Sequence, residues 1–158
     1  MKTENNEKSN SLKSIDRLSF QIGMVNCFVE MVACGVKKMA LSPPLTLDDY
    51  TKIKPWSKKI VDGFGMKSWL EKDLISTDLQ SDDFVAGKWV ILYYKTDNVL
   101  EYYFELKKRK LIIDKTNIPN KNDLQELSRD FMQLLSYPKE IIEGKLSGKQ
   151  VDPFLLIN

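Results

Sequence analysis

The 158-residue sequence contains no histidine, only two cysteines, and only three arginines: Arg17, Arg109 and Arg129. Each shortage closes a set of functions. Without imidazole there is no Ser-His or Cys-His nucleophile pair, no histidine metal ligand and no histidine acid–base catalysis near neutral pH. Two cysteines without histidine cannot supply the usual four ligands of a structural zinc site, nor a disulfide framework. No metal and no cofactor is therefore expected. Nearly all the positive charge is lysine, a hydrated point charge, whereas bidentate reading of phosphate or guanine favours arginine. With 24 basic and 22 acidic residues the formal net charge is only +2. The basic excess that marks a nucleic-acid binder is missing, so a nucleic-acid partner is not expected.

Several longer patterns are missing as well. Gly63-Phe64-Gly65 is too short for a phosphate loop and no Gly-Lys-Ser/Thr follows, so it reads as a turn between helices. The most apolar stretch, residues 22–36, is interrupted by Asn26 and Glu30 and closed by Lys37-Lys38. It falls short of the roughly 18–20 apolar residues of a membrane span, and no leader pattern is visible. The sequence accordingly reads as cytoplasmic, and its wealth of lysine and asparagine fits an AT-rich bacterial genome. Neither an internal repeat nor a low-complexity linker interrupts the chain. A single domain over residues 11–158 is expected, with polar residues 1–10 as a disordered lead-in.

What is present is enough apolar material for a core, 42% hydrophobic and 10% aromatic residues. Ile15, Leu18, Ile22, Val25, Val29, Val32, Val36 and Met39 recur at steps of three and four, the spacing of a helical seam. Run as one helix up to the stop at Ser42-Pro43-Pro44, this segment would be about 43 Å long, more than one small domain needs. Cys27 and Cys34 lie on it about 10.5 Å apart, beyond the ~7 Å reach of a disulfide, and core packing is their expected role. Glu30 and Asn26 fall on its thin polar edge.

Thr46-Leu47-Asp48-Asp49 resembles a capping signal, and Pro55 suits the first turn of a short helix stopped by Gly63 and Gly65. A further short helix over residues 66–74 would bury Trp69 and Leu70. An acidic loop with Asp78, Asp82 and Asp83 follows, whose spacing does not match a calcium loop. Residues 88–95 and 99–107 are rich in aromatic and β-branched residues and predict a hairpin turned at Asp97-Asn98, with residues 111–113 as a third strand. Asp123 with Glu126 predicts the start of a helix presenting Leu124, Leu127, Phe131, Leu134 and Leu135. Tyr137-Pro138 breaks it before a last short helix, and the apolar run Phe154-Leu155-Leu156-Ile157 should dock somewhere on the fold.

The predicted architecture is α+β: a long N-terminal helix and shorter helices on one face of a three-stranded antiparallel meander, completed by C-terminal helices. In the hairpin register one strand face pairs only apolar and aromatic residues, and the other carries Tyr94, Glu101, Tyr103 and Glu105. That aromatic–acidic face is the candidate ligand site, suited to a cationic or sugar-like ligand. Glu101 and Glu105 would lie about 13 Å apart on a strand, too far for the ~5–9.5 Å of a glycosidase pair. The basic run Lys107-Lys108-Arg109-Lys110 reads as a solvated turn that discourages edge pairing, or else as a nucleic-acid contact.

The leading expectation is a non-catalytic interaction or regulatory module acting as a homodimer, its partner itself or another protein. The interface candidates are Ile15, Leu18, Ile22, Val25, Val29 and Val32. The alternative is a small-ligand-binding protein or carboxylate-dependent enzyme using the Tyr94/Glu101/Tyr103/Glu105 face.

Overall fold

The computed structural model describes residues 15–79, 86–116 and 120–149. The lead-in at residues 1–10, Asp82, Asp83 and the apolar run at residues 154–157 lie outside the described residues. Among the described residues, five helices and three strands follow one another as α1 (Arg17–Ala33), β1 (Met39–Leu41), α2 (Leu47–Phe64), β2 (Lys67–Glu71), β3 (Val90–Tyr94), α3 (Asp97–Lys115), α4 (Lys121–Leu134) and α5 (Lys139–Leu146). The fold is α+β with a three-stranded antiparallel sheet, as the sequence predicts.

The sheet order is β1-β3-β2, so the last strand in the sequence is the middle strand in space. Met39 pairs with Tyr94 and Leu41 with Leu92 on one side of β3; Lys67 pairs with Tyr94 and Glu71 with Val90 on the other. β1, α2 and β2 form a split β-α-β unit, two parallel edge strands with the antiparallel β3 between them. Alternate residues of β3 enter two separate cores. Val90 and Leu92 join Met39, Tyr103, Leu106, Leu127 and Phe131 beneath α3, α4 and α5. Ile91 and Tyr93 join Val25, Val29, Val32, Ile53 and Val61 beneath α1 and α2. All five β3 residues are buried, which is why Val90-Ile91-Leu92-Tyr93-Tyr94 reads as one apolar run instead of an alternation. Helices therefore cover both faces of the sheet, not one.

Helix α1 begins at Asp16, whose carboxylate accepts the Ser19 N–H at 2.8 Å, and ends far earlier than the apolar seam suggests. Gly35 adopts φ +77°, and Val36 N–H bonds to Met31 O while Gly35 N–H bonds to Val32 O. This left-handed stop releases residues 39–41 into β1, so of the seam past Val32 the exposed Val36 falls in the connecting turn and Met39 in the strand. Helix α2 opens with the expected capping box: Asp49 N–H to Thr46 Oγ1 at 3.1 Å, and Thr46 N–H to Asp49 Oδ2 at 3.2 Å. It then runs through Pro55, which lies in its interior and not in a first turn. Burial of Ile53, Ser57 and Val61 on either side of the proline offsets its missing N–H. Residues 66–74 are not helical. Lys67–Glu71 forms the edge strand β2, and Trp69 stays 44% exposed, resting edge-on against Phe104 at 5.4 Å.

The largest departure is α3. Residues 99–107 and 111–113 belong to one 19-residue helix, and Asp97-Asn98 is its first turn, not a hairpin turn. Its inward residues Val99, Tyr103, Leu106 and Ile113 recur at helical spacing, and the Glu and Lys residues between them favour helix. Tertiary burial of that stripe overrides the local β preference of its tyrosines and isoleucines. Helix α4 starts from Asn120, whose side chain accepts the Asn122 N–H, three residues before the Asp123 start expected from sequence. The predicted face at Leu127, Phe131, Leu134 and Leu135 is buried.

Candidate functional site

The four residues of the predicted aromatic–acidic face do not share a surface. Tyr94 is buried at the end of β3, and Tyr103 is fully buried on the inner side of α3. Glu101 and Glu105 stand one turn apart on the outer side of the same helix, exposed. The correction follows from the change of element. On a strand residues 101, 103 and 105 point the same way, whereas on a helix 103 is turned about 200° from 101. Burial, reinforced by Asp97, pushes the Tyr94 phenol up, while Lys67 pulls it back.

Tyr103 instead completes a buried polar network missed by the sequence reading. Its hydroxyl donates to Glu71 Oε2 at 3.1 Å and accepts the Ile75 N–H at 3.4 Å. The other carboxylate oxygen, Oε1, takes the Asp73 N–H at 2.9 Å and the Lys107 ammonium at 3.1 Å. Lys107 also donates to Asp73 O at 2.6 Å. Desolvation, with the adjacent Glu71 carboxylate, drives the Tyr103 phenol far above its ordinary range. Every donor and acceptor here answers another within the chain, so the network anchors the β2–β3 connection to α3 and leaves no polar group aimed at a ligand. On the other sheet face the Tyr93 hydroxyl shares a 2.9 Å hydrogen bond with Ser57 on α2.

The basic run is similarly engaged. Lys107 pairs with Glu71, Arg109 with Asp130 at 2.5 Å, and Lys110 with Asp114 at 2.5 Å. Its members circle a helix instead of lining a turn. Half-buried Lys37 caps the end of α4 through Leu135 O at 2.9 Å and lies 5.0 Å from the Tyr137 ring; burial pulls its ammonium down. Among the described residues, no group of three or more Cys, Asp or Glu is placed to hold a metal ion, and no helix is long and apolar enough to cross a membrane.

The interface candidates divide in two. Val25, Val29 and Val32 are buried against the sheet and α2, so their seam is used inside the chain and is not available to a partner. Ile15 is exposed, and Leu18 and Ile22 are half-buried. Cys27 and Cys34, expected in the core, are exposed, as is Glu30. A feature the seam did not reveal lies beside them. Ile22, Gly23 and Asn26 of α1 face Trp56, Lys59, Ile60, Gly63 and Phe64 of α2 across an open groove of about 610 Å³. Trp56 is 49% and Phe64 37% exposed. Residues 56, 59, 60 and 63 form one stripe at helical spacing, visible in the sequence, but its partner stripe lies over thirty residues away.

A methyl group added at either Gly23 or Gly63 would meet nothing within 4 Å. Glycine inside a helix costs about 1 kcal/mol relative to alanine. The chain's own packing therefore gives no reason for either glycine, although both line the same groove. Compared with protein-family models, with curated proteins and with solved structures, the chain finds no match in any of the three.

Proposed function

We propose that this chain is a non-catalytic interaction module that acts as a homodimer, with the α1–α2 groove as its self-complementary surface. The observation that carries this reading is the pairing of large exposed side chains with small ones in a single groove. A twofold interface needs one patch to supply both the protruding and the receiving half. Trp56 and Phe64 are the protruding groups, and the open floor at Gly23 and Gly63 is the receiver. Close approach of a second copy gives the two helix glycines a role that the single chain does not. The rim, Asn26 and Lys59, has no run of one charge and selects no strongly ionic partner. Apolar and aromatic centres with a polar rim are the usual anatomy of such contacts.

The ligand-binding alternative loses the surface on which it rested, since Tyr94 and Tyr103 are buried and Glu101 and Glu105 are not beside them. Sedimentation velocity provides the test. The wild-type chain should be dimeric at concentrations on the order of 50 μM, and Trp56→Ala should weaken the dimer by roughly 30-fold or more, as a central aromatic anchor does. Gly63→Leu should fill the groove and give a folded monomer whose Tm is not lowered. A wild-type chain that stays monomeric throughout this range sinks the reading.

A further inference from the structure

We propose that the outer edge of β2 takes up an extended segment of another protein as a fourth strand of the sheet. β2 has β3 on one side and, among the described residues, no neighbour on the other. The hydrogen bonds around β3 identify which backbone groups are open. The Ile91 carbonyl accepts the Ser42 N–H at 2.8 Å, and Trp89 exchanges two 2.8 Å backbone bonds with Leu45. Residues 89 and 91 thus turn their backbone toward β1, and Val90, Leu92 and Tyr94 bond to Glu71, Trp69 and Lys67 of β2. What remains on β2 is the N–H and C=O of Ser68 and of Leu70, aimed away from the sheet at the ~6.8 Å repeat of strand pairing. Only another extended chain answers donors and acceptors in this alternation.

The two edges of the sheet are built differently. β1 is three residues long and Pro43-Pro44 follow it, so its edge is short and blunted. β2 pairs over five consecutive residues without a bulge and contains no proline. Lys67, the charge that would guard it, is held toward α3 by both Asp97 carboxylate oxygens, at 2.8 and 2.7 Å.

Helix α3 supplies a shelf beside this open edge. Its contacts climb β2 in order: Asp97 to Lys67, Phe104 to Trp69, Lys107 to Glu71. A residue placed opposite Trp69 points to the same face and comes to rest on the Trp69 and Phe104 rings. Leu111, two turns past Phe104 on the same flank, is 57% exposed and continues the apolar surface. The charges along the shelf are matched within the chain, Lys67 by Asp97 and Lys107 by Glu71. The strand that fits is therefore uncharged, with large apolar side chains at the alternate positions facing α3. A different protein is the occupant instead of a second copy, a choice that rests on the α1–α2 dimer: a second self-pairing surface would turn that dimer into a higher assembly.

NMR titration of the full isotope-labelled chain with a blocked seven-residue peptide alternating threonine and leucine tests it. At up to about 1 mM peptide the Ser68 and Leu70 amide resonances should shift and their hydrogen exchange should slow. Ser68→Pro takes away an outward N–H and no bond to β3, so it should leave Tm within about 2 °C and abolish both changes. Trp69→Ala should weaken the peptide at least about 10-fold. Trp56→Ala, which disturbs the dimer, should bind as the wild type does, so the two readings fail separately. A peptide that leaves the Ser68 and Leu70 amides unmoved, or binding that survives Ser68→Pro, would overturn the proposal. So would protection of both amides without peptide, with NOEs across β2 between differently labelled copies, which would assign the edge to a second chain.

Discussion

Replacing Glu71 by alanine is expected to destabilise the fold by about 3 kcal/mol, the largest effect we anticipate from any single polar residue here. The carboxylate receives three donors: the Tyr103 hydroxyl, the Asp73 N–H and the Lys107 ammonium. Lys107 matters least after the change, because it keeps Asp73 O and its side chain is 26% exposed, so water can solvate it. Tyr103 has no such escape. It is fully buried, and without Glu71 its proton has no acceptor, a loss of about 1–3 kcal/mol by itself. Tyr103→Phe should cost less, about 1–1.5 kcal/mol, because Glu71 retains its other two donors. The double variant should be more stable than the sum of the two losses implies, since removing both partners leaves no orphaned hydroxyl. Urea titration of the three variants measures this. An alanine variant within about 0.5 kcal/mol of wild type would show that the network is ornamental.

Alkaline pH should unfold the protein through the same region. Tyr93 and Tyr103 both have phenols raised by burial, and the Glu71 charge adds to the rise at Tyr103, while Ser57 pulls Tyr93 partly back. In the unfolded chain these phenols ionise near pH 10. In the folded chain they hold their protons well beyond that. Above pH 10 the unfolded state thus binds fewer protons than the native state, so stability falls as pH rises. The contribution is complete below pH 10 and is lost at about 1.4 kcal/mol per pH unit for each tyrosine, until each folded-state value is reached. By pH 11.5 the two together remove about 4 kcal/mol. Denaturant midpoints across pH 8–11.5 measure the slope, and Tyr93→Phe should cut it by about half. A slope equal to that of the wild type in this variant would exclude Tyr93 as a contributor.

The parts of this fold that were legible in the sequence are those decided locally. The Thr46–Asp49 capping box, the strand at residues 90–94 and the α4 face at Leu127 and Phe131 depend on neighbours within a turn or a strand. The parts that were not legible are settled at long range. Val99 to Ile113 is rich in tyrosine and isoleucine, which locally favour strand, and burial of Tyr103 and Leu106 against the sheet tips the balance to helix. Lys67–Glu71 is mostly exposed, so its edge-strand character depends on β3, twenty residues further on. Glu71 stands in the charged run Glu71-Lys72-Asp73 between Leu70 and Leu74, and nothing nearby announces partners at 103 and 107. The groove shows the same limit: two helix glycines and a tryptophan stripe can each be read from sequence, but not that they face one another.

The strand order has a consequence for biosynthesis. β1 and β2 leave the ribosome first, yet neither can bond to the other, because the place between them belongs to β3. A nascent chain that stops short of residue 94 holds two strands with unpaired edges and one apolar helix layer with no wall behind it. Native sheet formation must wait for β3, and when it arrives it closes both cores at once. During synthesis this protein is therefore exposed to mispairing longer than a hairpin-built sheet of the same size would be, and a holding chaperone would act in that interval.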